Sequence, residues 1–99
     1  MNYDQRCRED FKVNKGSVFA WIIMASFGYY HLPENPSLLS DEVFDKMCKY
    51  ALNEYDNLEH KYKSLVTKGN LQAGSLFDLA LQDYPEPLVG IYRRLVSKL

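Results

Sequence analysis

The sequence predicts a small all-α domain, and three observations carry that prediction. Apolar residues recur at helical spacing in successive stretches. Ser, Asp, Asn, Gly and Pro stand between those stretches, where helices start and stop. No convincing strand run occurs.

The first stretch, MNYDQRCREDFKVNK, places Tyr3, Cys7 and Phe11 at i, i+4 spacing, the apolar stripe of a short amphipathic helix. Asn14-Lys15-Gly16 is expected to close it through the left-handed backbone that Asn and Gly tolerate. Ser17 is a candidate cap for a second helix running to about His31, apolar on nearly every face and so expected at the centre of the fold. Pro33 and Pro36 prevent its continuation. Ser40 then caps a third helix whose first turn carries Asp41 and Glu42, charges that the helix dipole favours there. Phe44, Cys48, Ala51, Tyr55, Leu58, Tyr62 and Leu65 follow in alternating steps of four and three. That repeat predicts one long helix from 41 to about 66, closed by Lys68-Gly69-Asn70. The stretch SLFDLALQDY suggests a further helix, with Ser75 and Asp78 as a capping-box-like pair. Pro85-Glu86-Pro87 separates it from a last helix, with Pro87 in the first turn. The expected architecture is a single domain over 1–99. It is built on a long antiparallel helical hairpin (about 17–31 and 41–66), with short N- and C-terminal helices packed on it.

Composition narrows the function classes. The chain is 46% hydrophobic and 25% charged, the balance of a soluble globular domain rather than a disordered one. Its 12 basic and 13 acidic residues leave a net charge of −1, so no general attraction for nucleic acid or an anionic membrane exists. Arg93, Arg94 and Lys98 sit where a helix end favours positive charge, which accounts for them without nucleic acid. Cys7, Cys48, His31 and His60 fit no metal spacing, and two cysteines so far apart suggest free thiols in a reducing cytoplasm. The apolar run VFAWIIMASF is far shorter than the about 20 residues a membrane-spanning helix needs. No nucleophile–base arrangement in sensible context points to an autonomous enzyme.

The chemically suggestive stretch is YYHLPENPSLLSDEVFD. A short connection makes its two flanking helices antiparallel neighbours, which brings Tyr29, Tyr30 and His31 toward Asp41, Phe44 and Asp45. Asp41, Phe44 and Asp45 share one helical face. Ring faces beside carboxylates suit a flat, positively charged ligand. A plainer reading stands beside this one: the acids decorate a helix start, the tyrosines belong to the core, and His31 satisfies a terminal carbonyl.

Over about residues 20–66 these motifs resemble the N-terminal helical hairpin, domain Ia, of bacterial NAD-dependent DNA ligases. The stretch YYHLPENPSLLSDEVFDKMCKYALNEYDNLEHKYKSL carries the likeness. Tyr30 and His31 match the family's Tyr-His pair, Asp41 and Asp45 its two aspartates, and Leu58-Glu59 its downstream Leu-Glu. Phe44 stands where the family has tyrosine, keeping the ring without the hydroxyl. Nothing matches the family's adenylation motif, and residues 68–99 lie outside the likeness. The resemblance implies a non-catalytic module that requires no cofactor and binds the nicotinamide mononucleotide part of NAD. The ligand residues would be Tyr30, His31, Asp41, Phe44 and Asp45, with Tyr29 as an addition. The alternative is a protein-interaction module, of a kind resembling bacteriophage-encoded proteins, that docks on a host ligase or other protein. The repeat on the third helix also leaves a homodimer open.

Overall fold

Helix α1 forms where the i, i+4 stripe predicts it. In the computed structural model, which describes residues 1–99, α1 spans Asp4–Val13, with Cys7 buried and Tyr3 and Phe11 packed against the core. The chain then makes one 3-10 turn over Lys15–Ser17, where the Gly16 N–H donates to Asn14 Oδ1 at 3.0 Å. Two local expectations are corrected here. Asn14 is extended and Gly16 is not left-handed, the only positive φ being at Gly74. Ser17 makes no side-chain cap bond, because the 3-10 turn already leads the backbone into α2, Val18–His31.

Helix α2 is the centre, as its apolar faces require. It packs against α1, α3 (Asp41–Asn53) and α5 (Glu86–Val96). Trp21 Nε1 donates to Asp10 Oδ2 at 2.9 Å and ties α2 to α1. The pairing of α2 with α3 is antiparallel. Tyr29 and Tyr30, at the end of α2, lie by Asp41 and Phe44, at the start of α3. Phe19, at the start of α2, meets Tyr55, just past the end of α3, edge to face at 5.9 Å. Residues 32–40 connect them and are pinned by α1. The Tyr3 N–H donates to the Leu38 carbonyl at 2.7 Å, and the Ser40 N–H donates to Asp4 Oδ1 at 2.8 Å. Ser40 caps α3 as expected, accepting from the Val43 N–H at 3.2 Å.

The long second arm is the main correction. Helix α3 stops at Asn53, and the chain reverses through 3-10 turns at Tyr55–Asn57 and Lys63–Leu65. A helix from 41 to 66 would be roughly 39 Å long against roughly 21 Å for α2, and the whole molecule measures only 34 Å along its longest axis. Its far half would therefore have no partner to cover its apolar seam. The reversal buries much the same residues differently. Leu58 enters the core, and Tyr55 Oη donates to the Val66 carbonyl at 2.7 Å. Asn53, Asp56 and Asn57, whose side chains compete for backbone bonds, make leaving the helix inexpensive at that point.

The expected stop at Lys68-Gly69-Asn70 is instead the start of α4, Lys68–Ala73, capped reciprocally by Thr67 and Asn70. SLFDLALQDY does not form the expected helix. It holds a turn and a 3-10 turn over Leu81–Asp83, and Asp78 accepts from Asn70 Nδ2 at 2.9 Å rather than capping at Ser75. Helix α5 has Pro87 in its first turn and Arg93 and Arg94 in its last, as predicted. Buried side chains from every helix join one core cluster. The molecule is thus all-α, and no helix is long and apolar enough to cross a membrane.

Titratable groups in this core behave as burial dictates. Burial pushes the Cys7 thiol up to about 12 and the Cys48 thiol to about 11, so both stay protonated. Burial lowers His60 below the usual 6.5, and its Nδ1 accepts from the Tyr62 N–H at 3.0 Å, which requires a neutral ring. The unfolded chain therefore binds a proton that the folded chain refuses. The His60 contribution to stability is complete above pH 6.5 and is lost as pH falls through the window below it. Urea midpoints should drop between about pH 7.5 and pH 5, and His60→Gln should shrink that drop. An unchanged drop in the variant would assign it to other groups.

Candidate functional site

The mouth of the α2–α3 hairpin is a cleft of about 450 Å³, within the usual range for small-ligand sites. Five of the six residues expected there line it: Tyr29, Tyr30, Asp41, Phe44 and Asp45. Helical register explains the grouping. Tyr29 and Tyr30 follow Ser26 by three and four positions on α2, and Phe44 and Asp45 follow Asp41 by the same steps on α3. Tyr29 and Tyr30 meet edge to face at 5.0 Å, and both are exposed, at 72% and 40%. They are walls of an opening, not core residues.

His31 is the exception, and its expected place in the site is corrected. One residue beyond Tyr30 on a helix is a rotation of about 100°. The imidazole lies instead on the Phe27 side, 5.8 Å from that ring and 5.2 Å from Tyr84, with Nε2 buried and without a hydrogen-bond partner. Phe27, four residues earlier on an apolar face, is the sequence signal for that orientation.

The two carboxylates differ. Asp45 is paired with Lys49 at 2.9 Å, an exposed i, i+4 contact worth little in stability. Asp41 has no cation in ion-pair range. It is exposed at the first turn of α3, so a negative charge stands uncommitted at the rim. Phe44 is half-buried and presents a ring with no hydroxyl.

A third wall comes from the chain beyond the hairpin, which nothing in the local pattern foretells. Ala73, Gly74 and Ser75 line the cleft, and the Tyr30 hydroxyl hydrogen-bonds to Ser75 Oγ. Asn70 sets this wall in place. Its side chain bonds Thr67 on one side and Asp78 on the other, and its carbonyl accepts from the Ser75 N–H at 3.0 Å. Gly74, with φ 68°, makes the left-handed turn that ends α4 and directs Ser75 toward Tyr30.

Ser26 also lines the cleft; it is only 3% exposed, and its Oγ is buried without a hydrogen-bond partner. Leaving a buried hydroxyl unpaired costs about 1–3 kcal/mol. A second hollow of about 430 Å³ adjoins the first across Tyr29 and has no charged side chain in its lining. The acidic cleft is therefore the one with the chemistry for a cation. In comparisons with known proteins, no family model, no curated protein and no solved structure matches this chain. No group of His, Cys, Asp and Glu is arranged to hold a metal ion.

Proposed function

We propose that the protein is a non-catalytic binding module whose hairpin mouth takes a flat, positively charged ring. The candidate ligand, named by the ligase-like motif, is the nicotinamide mononucleotide part of NAD. The observation that carries this reading is the convergence of Tyr29, Tyr30 and Phe44 with the uncommitted Asp41 around one cleft of ligand size. Ring faces attract a cation through their quadrupoles, and the effect grows as water is excluded. Asp41 supplies the counter-charge, and the phosphate of the nucleotide is held outside by the same acids. His31 takes no part, since its ring faces Phe27 and Tyr84.

The test is titration with nicotinamide mononucleotide and NAD, followed by NMR. Amide shifts are expected around Tyr30, Asp41 and Asp45, and Asp41→Asn should weaken binding about tenfold, the equivalent of about 1.4 kcal/mol. Absence of any shift at millimolar ligand sinks the reading.

A second reading, docking on a host ligase or another protein, is favoured by one observation. Tyr29, Phe77 and Leu81 are 72%, 68% and 56% exposed, unusual for large apolar side chains. Adding the module to a purified NAD-dependent ligase and measuring nick sealing separates the two. A change in rate that Tyr29→Ala abolishes, without nucleotide binding by the free module, favours docking.

A further inference from the structure

We propose that the hairpin mouth and the neighbouring 75–84 segment together dock a cationic amphipathic segment of a partner protein. An arginine of that segment enters the cleft, and its apolar side chains rest on Phe77 and Leu81. The inference rests on the docking reading above and adds the chemistry of the partner.

The cleft and the segment form one surface. Ser75 bonds the Tyr30 hydroxyl, and the Tyr84 ring packs on those of Phe27 and His31, each at 5.2 Å. Both ends of the segment are thus held at the C-terminal end of α2. Phe77 and Leu81 stand between them, exposed. Apart from Met1 and Val13, the exposed large apolar side chains of the molecule are all here: Tyr29, Tyr30, Phe77 and Leu81. Ser75 and Leu81 are separated by at most roughly 22 Å of chain, a length that one helix of about 14 residues covers.

Charge complementarity names the occupant. Residues 16–45 and 69–92 contain every residue lining the cleft and no Lys or Arg, yet carry seven Asp and Glu, four in the first stretch and three in the second. The first cations along α3, Lys46 and Lys49, are taken up by Glu42 and Asp45. Asp41 has no such partner, and Asp78 and Asp83 are exposed beside Phe77 and Leu81. An apolar patch rimmed by one sign of charge fits a partner of the opposite sign. The aromatic walls decide which cation. A guanidinium is flat, stacks on ring faces and offers planar donors to a carboxylate, whereas a lysine ammonium is a strongly hydrated point charge.

The experiment titrates the full chain with two capped peptides of about 14 residues, matched to that span. Both carry Leu at helical spacing, and they differ only in bearing Arg or Lys at the cationic positions. The arginine peptide should bind about five- to tenfold more tightly, with amide shifts at Tyr30, Asp41, Phe77 and Leu81. Asp41→Asn and Phe77→Ser, both at exposed positions outside the core, should each weaken it several-fold. Equal affinity for the two peptides, or binding that neither substitution weakens, overturns the inference as mere attraction of opposite charge. Binding of neither peptide at millimolar concentration also overturns it, and a Tyr29-dependent effect on the ligase would then leave the docking reading standing. A wild-type dimer in sedimentation that Phe77→Ser dissolves overturns it too, by making a second copy the occupant.

Discussion

Replacing Tyr92 with alanine is expected to destabilise the protein by about 3–5 kcal/mol and to loosen the cleft at the hairpin mouth with it. Tyr92 is 1% exposed, and its ring meets Phe27 edge to face at 5.2 Å. It lies directly against the backbone of Gly28 and so fixes the approach of α5 to α2. Its hydroxyl accepts from Asn35 Nδ2 at 3.3 Å, which anchors the connection between the hairpin arms. For a domain of this size each kcal/mol is roughly 4–8 °C of melting temperature, so a loss of roughly 12–40 °C is expected. The single tryptophan, Trp21, is buried and reports the transition by fluorescence. Tyr92→Phe keeps the ring and loses only the hydroxyl, so it should cost about 0.5–1.5 kcal/mol. If Tyr92→Ala melted with the wild type, the packing of α5 on α2 described above would be wrong.

Gly16→Ala should be nearly as damaging, for a backbone reason. A Cβ at Gly16 would stand 2.1 Å from the Glu59 carbonyl oxygen. That atom belongs to main chain and cannot rotate away, so the 58–66 reversal must shift bodily. Overpacking of this kind costs about 1–3 kcal/mol, and the upper end is expected here, roughly 12–24 °C. Gly90 provides the contrast. It lies within α5, and a Cβ added there would have open space for 4 Å around it. Gly90→Ala should therefore raise stability by about 0.5–1 kcal/mol. The pair of variants tests the chain reversal itself. Were residues 41–66 one continuous helix, the Glu59 carbonyl would be engaged within it, and Gly16→Ala would be tolerated.

The site is partly legible in the sequence because hairpin geometry and helical register are local consequences of it. Ser40 as a cap, Asp41 and Glu42 in the first turn, and the shared face of Asp41, Phe44 and Asp45 follow from spacing alone. His31 is misplaced by grouping chain neighbours as spatial neighbours, although a helix turns each residue about 100° from the last. Ser26 is silent because a lone serine in an apolar helix carries no sign of whether its hydroxyl will find a partner. The Asn70–Gly74–Ser75 wall is silent because it reaches the mouth only through a long-range contact with Tyr30.

What the sequence determined by itself was the helical class, the central place of α2, and the start of each arm of the hairpin. Those depend on side-chain period, caps and prolines, interactions within a turn or two of chain. Where α3 ends was decided by tertiary structure. The apolar repeat through Tyr55, Leu58, Tyr62 and Leu65 is compatible with a long helix and with a compact reversal, since spacing alone does not say what will cover those side chains. The length of α2, the approach of Glu59 to Gly16 and the Tyr55–Val66 bond select the reversal. Those are contacts between segments distant in the chain, and no local pattern encodes them.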